Sequence, residues 1–280
     1  MQANGSTVGE NEWLGRTGDT WSSEWRRTDR SFGQLTGHLL RRARERDFTS
    51  VLDIGCGAGE LSLATAREHP QCRVVGVDIS PQLVAVARER GAGLGNVTFA
   101  VGDAASWLPG ADDRPDLLLS RHGVMFFGDP VAAFAHLRDI AAPHAGLLFS
   151  CFRTRDENAL FREAALLLPE SPPPPDAAAP GPFAFADRSR VEAILGQAGW
   201  SDVRFEAFDF PMIVGAGGDP LEDAADYLST IGPAARAASA LDDAERGQFR
   251  ARARELAARH LRDGVVSLGA AAWIVTGRAT

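Results

Sequence analysis

The chain has 280 residues, 45% of them hydrophobic and 24% charged, with a formal net charge of −8 at pH 7, which suits one large globular domain or one domain with an annex. All 29 residues counted as Lys+Arg are arginines, which excludes a Walker-type phosphate loop, a Schiff-base enzyme and a Tyr-x-x-x-Lys dehydrogenase, since each needs lysine. The acidic balance argues against gripping a nucleic-acid backbone, and three cysteines (Cys56, Cys72, Cys151) without a C-x-x-C pair suggest neither a disulfide framework nor a zinc knuckle.

Residues 1–30 are polar, yet carry Trp13, Trp21 and Trp25. The opening MQANGSTVGENEW lacks the charged-then-apolar pattern of a signal peptide, and no window approaches the ~18 apolar residues of a membrane span, so a cytoplasmic protein is expected. Leu35, Leu39, Leu40 and Ala43 recur at helical spacing and predict a helix ending near Arg46. An alternation follows. VLDIG reads as a strand stopped by glycine, GELSLATAREHP as a helix, and RVVGVDIS as a second strand. SPQLVAVARERG is a helix with Ser80 as N-cap and Pro81 at its first position. NVTFAVGD, PDLLLS and AGLLFSCF supply three more strands, with VAAFAHLRDIAAP as the helix between the last two. DRSRVEAILGQAGW, VRFEAFDFPMIV and SLGAAAWIVTGR close the chain as helix, strand and strand. This order predicts an α/β fold with a mostly parallel sheet of seven strands and helices on both faces. Two segments break it: 153–186, with a short helix and an extended proline run at 171–175, and 215–262, with two amphipathic helices expected to cover one sheet end.

Asp53-Ile54-Gly55-Cys56-Gly57-Ala58-Gly59 joins the first strand to its helix, where main-chain N–H groups can approach a ligand closely. Side chains at Gly55 or Gly57 would block that approach. Asp78 ends the second strand, where a carboxylate can accept from both hydroxyls of a ribose. Asp103 follows the third. Each aspartate alone reads as a cap or turn residue; the three in order, at successive strand ends, point to a ligand crevice. A nicotinamide dinucleotide prefers G-x-G-x-x-G, whereas here the third glycine comes one residue early.

VLDIGCGAGELS, VVGVDIS and VGDAASW resemble motifs I, II and III of the class I S-adenosylmethionine-dependent methyltransferases. SRHGVMFFGDPVAAFAHLR is similar to a bacterial small-molecule branch near the ubiquinone/menaquinone-type enzymes. The likeness covers residues 13–152 and continues more loosely to AAAWIVTGR. It implies a Rossmann-like sheet ordered 3-2-1-4-5-7-6 with the last strand antiparallel, and S-adenosyl-L-methionine as cofactor. It also implies roles: Gly55, Cys56 and Gly57 under the methionine and ribose, Asp78 on the ribose, and Ile79 against adenine. Asp103 and the Ala104 backbone would serve the adenine amino group, Ser120 would stand near the methionine, and Asp53 would order the turn or reach the cofactor's amino group indirectly. Residues 1–46 then form a helical flap with Trp21 over the cofactor, and 47–152 the cofactor-binding core. Residues 153–280 complete the sheet, with lid insertions at 153–186 and 215–262.

His122 is the candidate base, standing where the family often has phenylalanine; it can equally fill that aromatic's space. Arg121 either orients an acidic substrate or pairs with an aspartate. Cys56 is not expected to act as a nucleophile, because the family commonly carries cysteine there without such chemistry. Phe126-Phe127 and Phe183/Phe185 line an apolar acceptor pocket or belong to the core. The other histidines show no metal-ligand spacing, and the basic run 246–262 reads as a solvated helix face. The expected function is methyl transfer, metal-independent, to a small, partly apolar acceptor, with oxygen favoured and no nucleic-acid partner. The rivals are an NAD(P)-dependent oxidoreductase and a non-catalytic S-adenosylmethionine-binding partner or sensor.

Overall fold

The computed structural model describes residues 13–110, 113–168, 179–239 and 241–280; the proline run at 171–175 lies outside them. Helices α1 (Arg16–Ser23) and α2 (Trp25–Ala43) come first. Then follow β1 (Ser50–Ile54), α3 (Glu60–Glu68), β2 (Arg73–Asp78), α4 (Pro81–Gly91), β3 (Val97–Val101), β4 (Leu117–Arg121), α5 (Pro130–Ile140) and β5 (Gly146–Phe152). The remainder is α6 (Ala159–Ala164), α7 (Arg188–Gln197), β6 (Trp200–Gly215), α8 (Pro220–Thr230), α9 (Pro233–Ala238), α10 (Asp243–His260), β7 (Leu261–Arg262) and β8 (Val265–Ala279).

The sheet is ordered β3-β2-β1-β4-β5-β8-β6. Its first five strands are parallel, and β8 runs antiparallel to both β5 and β6. With β8 as the seventh long strand, this is the expected order. The addition is β7, which pairs Leu261 with Val266 and Arg262 with Val265 around Asp263-Gly264. Both turn residues have positive φ, 48° and 79°, the geometry for which Asp-Gly is suited in a two-residue hairpin. Strands β1 and β5 are buried along their whole length, as a sheet covered on both faces requires.

Three helix starts share one local recipe, a capping side chain followed by proline. Ser80 Oγ accepts from Leu83 N, Asp129 from Ala132 N, and Asp219 from Leu221 N and Glu222 N, each just before a proline. Helix α2 begins well before the leucines that signalled it. Thr28 and Ser31 continue its buried stripe with Phe32, and both hydroxyls are satisfied by carbonyls one turn back. Three helices, rather than the expected two, fill the last insertion, because Gly232 (φ +93°) and Pro233 break the chain between α8 and α9.

Two features position the site. Strand β8 pairs with β5 only through Ala272–Arg278, while Ser267–Ala271 pair with β6 alone. This two-stranded ribbon therefore projects past the carboxyl ends of the parallel strands. Helices α2 and α8 pack on β6, and α10 packs on α8. An ionic lattice ties the three helices: Arg27 reaches Asp223 (2.8 Å) and Asp226 (3.2 Å), Arg30 reaches Asp223 (2.7 Å), Arg250 reaches Asp226 (2.7 Å), and Arg250 and Arg254 both pair with Glu222. Part of the basic run expected to be solvated is thus committed to α8. Among the described residues no helix is long and apolar enough to cross a membrane.

Candidate active site

The turn after β1 is built by three glycines with positive φ: Gly55 (+65°), Gly57 (+54°) and Gly59 (+86°). Gly55 N and Cys56 N both donate to the Val77 carbonyl, at 2.9 and 3.1 Å, locking the turn to the end of β2. A Cβ on Gly55 would lie 2.9 Å from Gly123 Cα, so two backbones touch there; a Cβ on Gly57 would meet no protein atom within 4 Å. The space above Gly57 belongs to a cavity of about 1010 Å³ lined also by Trp21, Asp53, Cys56, Asp78, Ile79, Asp103, Ala104 and His122.

The three acids arrive there as expected. Asp78 accepts from Gly57 N (2.8 Å) and Ser80 N (2.9 Å); burial raises its pKa, and those two N–H groups oppose the rise. Asp103 is exposed and accepts from Ala105 N (2.9 Å). Asp53 is 1% exposed. Ser62 Oγ donates to its Oδ2, while its Oδ1 has no partner. Burial pushes its pKa up to about 7, against the Ser62 hydroxyl and the Arg121 charge. An unpartnered buried carboxylate oxygen is costly, and a cationic group in the cavity would relieve it. The residues fit an amino-acid-bearing nucleoside: a bare backbone floor, acids at three strand ends, and one orphaned oxygen. The Cys56 thiol is pushed well up by burial and by the Asp78 and Asp53 charges, so it is protonated and not a nucleophile.

Ser120 is fully buried, behind the residues that line the cavity. Its hydroxyl donates to Ile54 O (2.7 Å) and accepts from Gly123 N (3.1 Å), bracing the glycine contact from beneath. Arg121 and Gly123 line the cavity instead.

Helix α1 lies across the glycine-turn end of the cavity. A Cβ on Gly18 would sit 2.6 Å from Ser80 Oγ, so the helix docks beside Asp78 through a glycine. Trp13 meets Trp21 and Phe126 edge-on at 5.6 and 5.4 Å. Arg90 lies 3.8 Å over the Trp25 ring. Sequence reasoning missed Asp29, whose carboxylate joins Arg90 (2.7 Å) and Arg121 (3.6 Å) at the cavity wall. Burial lifts its pKa to about 6, with Arg121 opposing. Of the two readings for Arg121, pairing with an aspartate is the one observed.

His122 follows β4 in left-handed backbone (φ +61°), a conformation His adopts more readily than most residues. Its ring stacks on Phe152 at 4.1 Å and meets Phe32 edge-on at 5.3 Å. Nδ1 lies 3.3 Å from Ser150 Oγ, and Nε2 is buried without a partner. Burial pushes its pKa down to about 3, against a backbone bond from Ser150 and aided by the Arg121 charge. The imidazole is therefore neutral at physiological pH. Phe126, Phe127 and Phe183 line the cavity, whereas Phe185 belongs to the core. His38 pairs with Glu206, His260 with Glu163, and His136 with the Trp107 carbonyl.

Comparison with known proteins bears on this geometry. Residues 45–170 match the family model described as a methyltransferase domain. The chain is 30% identical over 168 residues to a trans-aconitate 2-methyltransferase of Paracidovorax citrulli, covering 59% of each chain. It is 31% identical over 122 residues to a malonyl-[acyl-carrier protein] O-methyltransferase of Halalkalibacterium halodurans, covering 42% of this chain and 44% of that one. The chain thus spans about half the length of the curated relatives it matches. A Haemonchus contortus phosphoethanolamine N-methyltransferase 2, solved with S-adenosyl-L-methionine, superposes with a TM-score of 0.58 at 17% identity, over 98% of this chain and 61% of that one. At that identity the likeness establishes the fold.

Proposed function

We propose that the protein is an S-adenosylmethionine-dependent methyltransferase acting at an oxygen of a small, partly apolar acceptor. The observation that carries this reading is the cluster of Asp53, Asp78 and Asp103 at three successive strand ends, facing one cavity across the Gly55–Gly57 floor. In this reading Asp78 takes the ribose hydroxyls and Ile79 flanks the adenine. Asp103 and the Ala104 backbone serve its amino group, and Trp21 covers the site from α1. Asp53 Oδ1 faces the cationic end of the methionine moiety. Residues 47–152 are the cofactor-binding core, residues 1–46 the flap, and 153–280 the rest of the sheet and its lids. Cytoplasmic location, the absence of a nucleic-acid partner and a place near the ubiquinone/menaquinone-type branch belong to the same reading; the last rests on Ser120–Arg138.

The cofactor brings a methyl group already activated on a sulfonium: the acceptor oxygen's lone pair forms the new C–O bond as the C–S bond breaks and its electrons stay on sulfur. The protein's work is positioning and exclusion of water. His122 lines the cavity, and its Nε2 is buried without a partner; in this reading that nitrogen accepts a hydrogen bond from the acceptor hydroxyl. An imidazole this weakly basic does not remove the proton beforehand. It takes it as the oxygen becomes cationic during transfer.

Calorimetric titration with S-adenosylmethionine and S-adenosylhomocysteine tests the reading. Micromolar binding is expected, weakened at least ~100-fold by Asp78→Ala, as loss of a charged hydrogen-bonding group implies. No binding at millimolar ligand by folded protein would sink it.

A further inference from the structure

The cavity is larger at one end than a nucleoside floor requires, and that end has its own chemistry. A continuous aromatic wall runs from Phe32 through His122, Phe152 and Phe161 to Phe183, with successive ring centroids 5.3, 4.1, 5.2 and 4.7 Å apart. Each of these rings lines the cavity. The acids that line it, Asp29, Asp53, Asp78 and Asp103, all sit at the cofactor end. Two cations stand beside the aromatic wall: Arg121, over the Phe32 ring at 5.4 Å and already paired with Asp29, and Arg155. Arg155 opens the 3-10 turn directly after β5, is half-buried, and lines the cavity. Among the described residues its guanidinium has no hydrogen-bond or ion-pair partner. Its neighbours are already engaged: Arg153 pairs with Glu157 and Asp209, and Glu157 also holds Thr154.

We infer that the acceptor is a monoanion with a flat, ring-bearing body, the body lying along the Phe32–Phe183 wall and the anionic group pairing with Arg155. This rests on the methyl-transfer reading and narrows it. An unpartnered guanidinium at the rim of an apolar chamber gains from an anion that can be bound bidentately. The aromatic wall favours planar apolar surface by offset or edge contacts. The same arithmetic separates this chain from the trans-aconitate enzymes it resembles. A tricarboxylate offers three negative charges where the aromatic end supplies Arg155 alone, Arg16 of α1 being engaged with Ser239 Oγ, and charges left among phenylalanines would be buried uncompensated, at several kcal/mol each. Tyr227 does not alter the balance, since it is buried and its hydroxyl donates to Ser31 Oγ (3.2 Å).

The test is calorimetric titration of the full chain, with and without S-adenosylhomocysteine, using 2-naphthoate, its neutral counterpart 2-naphthamide, and trans-aconitate. The expected result is a preference of about tenfold or more for naphthoate over naphthamide, with trans-aconitate binding more weakly than either. Arg155→Gln should erase the preference while leaving the affinities for naphthamide and S-adenosylhomocysteine unchanged. Equal binding of the acid and the amide, tighter binding of trans-aconitate, or no binding of either naphthalene would overturn the inference. Failure of S-adenosylhomocysteine to bind would instead overturn the methyltransferase reading, and the naphthoate preference without it remains a separate result.

Discussion

At the glycine-turn end the cavity is walled by backbone, with Gly55 in close approach to Gly123, Gly57 open to the cavity, and a serine bracing the Gly55–Gly123 contact from below. At the other end it is walled by side chains on α2, the loop after β4, β5, α6 and the segment before α7. A backbone wall has no rotamers, so it fits one ligand shape and tolerates almost no substitution. A side-chain wall can be resized one ring at a time with the fold intact. The contrast shows how one scaffold keeps its cofactor and exchanges its acceptors: the fixed part lies in three short stretches of chain, and the variable part is assembled from many.

The largest expected effect comes from Gly57→Val. The substitution puts a branched side chain on a left-handed residue and into the open cavity. Binding of S-adenosylhomocysteine should fall at least ~100-fold, while 2-naphthoate binding in its absence stays the same. Equal loss of both ligands would show that the two ends are not independent. His122→Phe acts at the acceptor end. It retains the stack on Phe152 and removes Nε2, so single-turnover methyl transfer should slow by about 10- to 100-fold with cofactor affinity unchanged. Unchanged turnover would leave His122 as a filler of aromatic space.

The smallest effect is a slope. Asp53, ordinarily at 3.8, is raised to about 7 in the folded protein. The folded state therefore holds a proton that the unfolded state releases between about pH 4 and 7. Stability should decline as pH rises through that window and level off above it. Asp29, raised to about 6, adds to the same slope. Asp53→Asn should flatten most of it in urea denaturation followed from pH 4 to 8. Affinity for S-adenosylhomocysteine should rise in the wild type as pH passes 7, because the ionised carboxylate favours an ammonium, and this rise should vanish in the variant.

The sequence made the cofactor end legible because its determinants are local. A glycine turn, an acid closing β2 and an acid after β3 can each be read within a few residues, and the capping serine and prolines fixed the helices between them. The bracing contact of Ser120 was not legible, because where its side chain turns depends on the Ile54 carbonyl, far away in the chain. Asp29, Phe152, Phe161 and Arg155 carry no local signal at all; packing alone brings them to one wall. The third lid helix turned on a Gly-Pro break that periodicity passes over. The short strand β7 did carry a signal, the Asp-Gly pair inside a basic helix-to-strand junction.

The ionic lattice joining α2, α8 and α10 answers to pH from one side only. Its cations are all guanidinium groups, since the chain has no lysine, and they stay charged through any alkaline range the fold survives. Two of its carboxylates are held low, Glu222 by Arg250 and Arg254, and Asp223 by the Ala216 N–H and Arg27, which overcome its burial; so is Asp219, 3.8 Å from Arg254, by the Glu222 N–H. The stability they contribute is complete above the ordinary carboxylate range and is lost as pH falls through their lowered values. Acid alone unties α10 from the two helices, α2 and α8, that line the cavity, and alkali leaves the knot in place.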